Sequence, residues 1–451
     1  MNTTPSRQLH LNVNILHSGF VPPAWRVPDS DPRAFVDVAH YVRVAQLAEA
    51  AAFDAVFLAD NASIADQIDF RPITALEPTI LLASIAAATM HTGLIGTAST
   101  SYNEPYNLAR RFASLDHVSS GRAGWNVVTT ADLGSARNLG RDAVPDHARR
   151  YERAVEFAAV VKALWNSWED DAFIGDKAAG CFVDPARVRR IAHRGAHFEV
   201  DGPLNLPRSP QGHPVLVQAG GSSDGRELAV RHAEAVFSAS QSFDEALAYA
   251  CQLKSRVVVG GRGDDAIRVR PGLTTIVGAT EADALRRRDE LVDLIPWRYS
   301  LTRLAGTLGI AVDRISLDRP LPDDLPLPAG ANGNHTFSHA TLAHARRHGY
   351  TARELIRALA GGGGHRVIVG TPEQIADDIE KWFRAGAADG FNLMPDVLPA
   401  GLQDFVDGVV PILRARGLFR TAYEGRTLRD HLGLPRAAGR DAPHRDAALV
   451  T

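Results

Sequence analysis

The segment SSGRAGWNVVTT, residues 119–130, sets Trp125, Asn126, Thr129 and Thr130 at the end of a short apolar run. A strand finishing in polar side chains is either a buried strand with satisfied ends or the rim of a parallel barrel, where such enzymes keep their chemistry. Asn126 offers both a donor and an acceptor, which suits the polar edge of a pyrimidine-like ring. Two other runs end alike: Asp60 closes FLAD, and Thr97 and Ser99 close GLIGTAS. Asp60 could instead cap the next segment, and the two hydroxyls could bond their own backbone. His147 and Tyr151 stand four apart at a helix start and share a face, which on spacing alone reads as a surface aromatic pair. Gly220, Gly221, Ser222 and Ser223 follow VLVQA and precede a helix. Glycines there let a ligand approach the backbone, and free N–H groups at a helix start attract phosphate.

The histidines His335, His339, His344 and His348 form two pairs at helical spacing. No carboxylate or cysteine completes a ligand set beside them, so no metal site is expected. Two uses remain: a surface cluster, or one residue, His339 or His344, reaching over a bound ring as acid or base. Neither GGRGDD nor GGGGHR follows a strand and opens a helix, so the chain has no dinucleotide-binding fingerprint of its own.

Short apolar runs alternate with long amphipathic stretches, the pattern of βα units around a parallel sheet. Eight strands are expected, at roughly 11–16, 55–59, 93–98, 123–128, 215–218, 235–239, 268–277 and 390–394. Helices are expected at 35–52, 78–88, 106–117, 151–165, 225–232, 243–257, 282–294 and 372–385. Eight such pairs predict an α/β fold, a closed (β/α)8 TIM barrel, as a single domain over 1–433. Insertions are expected at 131–146, 168–213 and 296–364. The second contains a hairpin near HRGAHFEVDGPLNL; the third is a helical excursion between proline- and glycine-rich connections. The tail 434–451 is expected to be flexible.

Composition narrows the function. A 451-residue chain with 45% hydrophobic and 22% charged residues can bury a sizeable core. A net charge of −3 offers no field for nucleic acid or an anionic membrane, and no apolar stretch is long enough to span a bilayer. Two isolated cysteines, Cys181 and Cys251, and an N-terminus without a secretory pattern point to the cytoplasm.

Taken in order, the segments quoted above, with GTASTSYNEPYNLARRFASLDHVSSGR, HARRYERAVEF, VLVQAGGSSDGRE, GTPEQIADDIEKWF and DGFNLMP, resemble the nitrilotriacetate and dibenzothiophene-sulfone type of flavin-dependent monooxygenase. This is a branch of the bacterial luciferase-like superfamily. The resemblance assigns Asp60, Thr97, Ser99 and Asn126 to flavin binding, with Thr97 and Ser99 beside the isoalloxazine ring. It assigns His147, Tyr151, Ser222 and Ser223 to the ribityl chain and phosphate. It implies FMN, used as diffusible FMNH2 supplied by a separate NAD(P)H:FMN reductase, and a dimer or tetramer. The implied reaction uses O2 through a flavin C4a-hydroperoxide to oxygenate a small organic, sulfur- or nitrogen-containing and xenobiotic-like, substrate. A water-excluding lid would protect that species, with Trp125, Phe20 and the 296–364 insertion as its expected parts. A deazaflavin-dependent or aldehyde-oxidising branch, or flavin binding without turnover, are the competing implications. Phe20, Val21 and Ala131 depart from relatives that carry histidines nearby, which makes the substrate side more apolar and argues against a polyanion.

Overall fold

In β1 (His10–Asn14), Leu11 and Val13 turn outward to pack on helices, while Asn12 and Asn14 turn the other way, since successive strand side chains alternate. The same alternation runs through β2 (Ala55–Leu58), β3 (Gly93–Ser99) and β4 (Ala123–Val128). The computed structural model describes residues 7–439 except 65–67, 73–75, 323, 326–334 and 362–363, and only the backbone of 335–337 and 340. Two small hairpins follow β4: β5 (Phe173–Asp176) with β6 (Cys181–Val183), and β7 (His193–Arg194) with β8 (Glu199–Val200). Then come β9 (Val215–Ala219), β10 (Ala235–Ser238), β11 (Arg268–Val277), β12 (Arg366–Gly370) and β13 (Gly390–Leu393).

Eight parallel strands close a barrel in the order β1-β2-β3-β4-β9-β10-β11-β13 and back to β1. β12 is a ninth strand that the sequence reading left out. The first part of β11 pairs with β10, Gly272 and Leu273 pair with β13, and Leu273–Val277 pair with β12. RVIVG follows directly on a glycine-rich turn that blurs its start, so the sequence marks no strand there.

The helices are α1 (Val38–Ala50), α2 (Pro78–Ala88), α3 (Pro105–Val118), α4 (Leu133–Asn138), α5 (His147–Trp165), α6 (Ser223–His232), α7 (Phe243–Val259), α8 (Glu281–Asp293), α9 (Trp297–Leu308), α10 (His335–His348), α11 (Ala352–Ala358), α12 (Pro372–Arg384), α13 (Ala400–Asp404), α14 (Val410–Ala415) and α15 (Leu428–His431). Their starts carry local instructions. The Asp37 carboxylate accepts from the N–H groups of Ala39 and His40, and Thr371 with Gln374 forms a reciprocal capping box beside Pro372. α5 begins four residues before the expected Tyr151, because Asp146 leads directly into it.

The 131–146 insertion holds α4, tied over the β2 end by Ser135 to Asn61 and Asp132 to Ser63. The 296–364 insertion folds α9, α11 and the end of α10 around their own apolar core, with Leu304, Leu308, Leu342, Leu355 and Ile356 buried. At the opposite end, Leu428, Leu432 and Leu434 enter the barrel and pack on Ala55, Ile95, Val215 and Ala235, closing its floor. The tail beyond Leu434 was expected to be free. As far as Ala438 it is instead attached: Arg436 pairs with Asp170, and the Ala437 N–H donates to Gln211 O at 3.1 Å. Residues 440–451 lie outside the described residues.

Candidate active site

The polar ends of β3 and β4 meet at the open rim. Thr97 and Asn126 are register partners, and Asn126 Nδ2 donates to Thr97 Oγ1 at 2.8 Å. Asn126 Oδ1 is buried and has no hydrogen-bond partner among the described residues, so an acceptor stays open toward the barrel axis. Thr130 Oγ1 donates to Ser99 Oγ at 2.7 Å, and the Ser101 N–H donates to the same oxygen at 3.1 Å. Asp60 lies two residues past β2 on the same rim; desolvation by its neighbours and then the charge of Glu77 push its carboxyl above the usual range.

Trp125 does not join them. Its side chain turns into the helix layer, where Nε1 donates to Ala98 O at 3.0 Å and the ring packs on Phe112, Phe157 and Trp165. The expectation that it encloses the site is therefore corrected. Next to Asn126 on a strand, it must face the other way.

A second group forms where β9 passes into α6. Ser222 caps α6, its Oγ accepting from the Gly225 N–H at 3.1 Å, and Ser223 is the first helical residue. The turn has no room for side chains. A Cβ on Gly220 would lie 2.6 Å from Gln218 Nε2 and 3.4 Å from the Tyr151 hydroxyl, and one on Gly225 would lie 3.3 Å from that hydroxyl. Gln218 Oε1 is buried there without a partner among the described residues. His147 stacks obliquely on Tyr151, ring centres 4.7 Å apart, and its Nδ1 is 2.9 Å from Asp224 Oδ2. Tyr151, His147 and the α6 N-terminus thus converge on one small space whose donors suit a phosphate.

The histidines of α10 separate. His339 lines a cavity of about 780 Å³ whose other walls include Ser222, Arg226, Tyr249 and Gln252. His344 belongs to an aromatic group within the insertion, its ring centre 4.8 Å from His348 and 5.7 Å from Tyr350. The side chain of His335 lies outside the described residues. Among those described, no set of three His, Cys, Asp or Glu residues could hold a metal ion.

Several polar groups escaped the sequence reading. His17 follows β1 at φ 33°, 4% exposed, with Nε2 unpartnered among the described residues. Burial, then the charges of Arg71 and His40, lower its pKa to about 3, so the imidazole is neutral. Its signal was present: HSG directly after an apolar strand has the same form as the FLAD end. His365 stacks on Phe237 at 4.9 Å, and burial pushes it down to about 4. Deeper in the barrel, buried Arg270 donates to Asn12 Oδ1 at 2.8 Å. No local pattern marks these two, because Arg270 meets Asn12, and His365 meets Phe237, only through barrel closure.

The arrangement fits a flavin mononucleotide: an open acceptor and hydroxyls for a ring edge at one side of the mouth, and a glycine-built cradle for a phosphate at another. No helix among the described residues is long and apolar enough to cross a membrane. Residues 19–389 match the model of the luciferase-like monooxygenase family. The chain is 45% identical to nitrilotriacetate monooxygenase component A of Aminobacter aminovorans, over 96% of this chain and 97% of that one. It is 40% identical to a dibenzothiophene-sulfone monooxygenase of Rhodococcus erythropolis strain XP, over 96% and 98%. Among solved structures it is similar to the EDTA monooxygenase of Chelativorans sp. BNC1, with a TM-score of 0.79 and 36% identity over 95% of this chain and 99% of that one. With the barrel and this extent of match together, the chain belongs to the luciferase-like monooxygenase family.

Proposed function

We propose that the protein is the oxygenase component of a two-component system, taking FMNH2 from a separate NAD(P)H:FMN reductase in the cytoplasm and inserting one atom of O2 into a small sulfur- or nitrogen-containing organic molecule. The observation that carries this reading is the pairing of the Thr97–Asn126 rim with the Gly220–Gly225 cradle beneath Tyr151. Bound reduced FMN would supply the two electrons and, with dioxygen, the oxygenating chemistry; the second oxygen atom leaves as water.

The chain's own residues bind, orient and exclude water. Asn126, already held by Thr97, presents its free carbonyl oxygen to a ring N–H. Ser222, Ser223, His147 and Tyr151 hold the phosphate as hydrogen-bond donors together with the start of α6. His17, kept neutral with Nδ1 accepting from the Ser18 N–H at 2.9 Å, carries its proton on Nε2 and can donate a hydrogen bond there. The α9–α11 insertion, carrying His339 on its inner side, covers the phosphate end as a lid. That the oxygenase works as a dimer or tetramer is part of the proposal.

The test is anaerobic titration with photoreduced FMN, followed by oxygen uptake with candidate substrates. Tight binding of FMNH2 and substrate-accelerated uptake are expected. Binding of a reduced deazaflavin in preference to FMNH2 would move the protein to the deazaflavin-dependent branch, and binding without turnover on any substrate would leave a flavin carrier.

A further inference from the structure

The cavity of about 780 Å³ beside His339 begins where the phosphate cradle ends. Gly221 and Ser222 belong to both, whereas Tyr151, on the α5 side of the turn, lines a different cavity. A lid shaped for FMN alone would close onto the phosphate that ends it. Here the insertion stands off from the barrel, because both helices bordering the gap present alanine, Ala248 from α7 and Ala343 from α10. The space left over lies within the range of pockets that hold a whole organic ligand, and is far more than one phosphate needs.

Its walls have the chemistry of a nucleotide site. Arg226 donates through Nε to Gly221 O at 3.1 Å and through another N–H to Gln252 Oε1, and it is in no ion pair among the described residues. A guanidinium held in place but unclaimed by a carboxylate suits a phosphate. The single carboxylate of the wall, Glu245, is instead paired with Arg347 of α10 at 3.3 Å. The Tyr249 ring, its centre 5.7 Å from the Arg226 guanidinium, and the two alanines form an apolar surface that a purine can lie against. Gln252, held at Oε1, keeps its amide N–H groups for a base edge, and Ser238 and Ser240 add hydroxyls to the same space.

We infer that this cavity takes the adenylate half of a flavin dinucleotide: FADH2 occupies the FMN cradle and extends past it, with its second phosphate at Arg226 and its purine against Tyr249. The reacting ring is the same in both flavins, so the Thr97–Asn126 rim does the same work for either. A reductase that releases FADH2 then serves the protein as well as one that releases FMNH2. This inference rests on the flavin reading above and specifies which flavin that reading concerns.

The experiment is anaerobic isothermal titration of the protein with FMNH2 and with FADH2, the bound flavin being released afterwards and identified by mass. FADH2 should bind about tenfold more tightly than FMNH2, the gain expected of a charge-assisted phosphate contact and a sheltered purine. Ala248→Phe fills the cavity, and should weaken FADH2 about tenfold or more while leaving FMNH2 as in wild type. Gln252→Ala should weaken FADH2 by a smaller factor, again sparing FMNH2. Wild type that binds FADH2 no more tightly than FMNH2 overturns the proposal and leaves the flavin reading intact, as does equal FADH2 affinity in wild type and Ala248→Phe. Wild type that binds neither flavin overturns the flavin reading and this inference with it. Ala248 and Gln252 are exposed, and unchanged melting curves establish that both variants fold.

Discussion

At the scale of single residues, the rim and the cradle make separable demands on a flavin. Tyr151→Phe removes one donor from the cradle, so FMN affinity should fall by about five- to tenfold while riboflavin, which lacks the phosphate, binds as before. Asn126→Ala should weaken FMN and riboflavin by the same factor, because it acts on the ring, and should also cost about 1–3 kcal/mol of stability by leaving the buried Thr97 hydroxyl unpaired. Paired titrations of the two flavins read both effects; a phosphate-independent loss in Tyr151→Phe would remove it from the cradle. The sequence made these residues visible because each ends an apolar run or opens a helix, and barrel geometry brings all such ends to one face. It pointed Trp125 the wrong way since one position of strand phase separates the mouth from the helix layer. His17 had a signal in the HSG run after β1, whereas Arg270 and His365 were not legible, their partners Asn12 and Phe237 lying more than a hundred residues away.

At the scale of elements, the strands β4 and β11 and the helix α2 have the bounds the sequence implies, because apolar runs there are cut by turn residues on both sides. β12 was missed where such punctuation misleads, a glycine run preceding it; α5 runs ahead of the expected 151–165 span, from the His147 that also reads as a helix start. The 296–364 insertion was legible as helical but not as a unit with its own core. That core predicts local behaviour. Leu355 is fully buried within it, and Leu355→Ala should cost about 2–5 kcal/mol, confined to α9–α11. Hydrogen exchange should show protection lost in those helices and retained in β1–β4; uniform loss would mean that insertion and barrel unfold together. In the same variant, peroxide released per FMNH2 oxidised should rise, since water reaches the phosphate end of the site more freely.

At the scale of the whole molecule, the floor of the barrel is fastened by charge as well as by apolar packing. Glu234, just before β10, receives Arg429 through two contacts, 2.6 and 2.9 Å, linking the last helix to the barrel. Burial alone would raise the Glu234 carboxyl; the Arg429 charge more than offsets it and leaves the pKa at about 2. A carboxylate whose pKa is lower folded than unfolded stabilises the fold above its unfolded value and loses that contribution as pH falls. The loss should therefore run from about 4.5 down to about 2, on the order of 3 kcal/mol, and melting temperatures should fall more steeply across that window in wild type than in Glu234→Gln. Parallel curves would show that the pair adds nothing. The floor has a further consequence, in the order of events during synthesis. Ala55, Ile95, Val215 and Ala235 wait for Leu428, Leu432 and Leu434 to cover them, and these leave the ribosome after all eight barrel strands. About forty residues separate the end of β13 from Leu434, so at roughly 5–20 residues per second the nascent barrel holds an open apolar end for roughly 2–8 s, and a chaperone that shelters it, and any premature stop before residue 428, should decide yield more than substitutions at the mouth do.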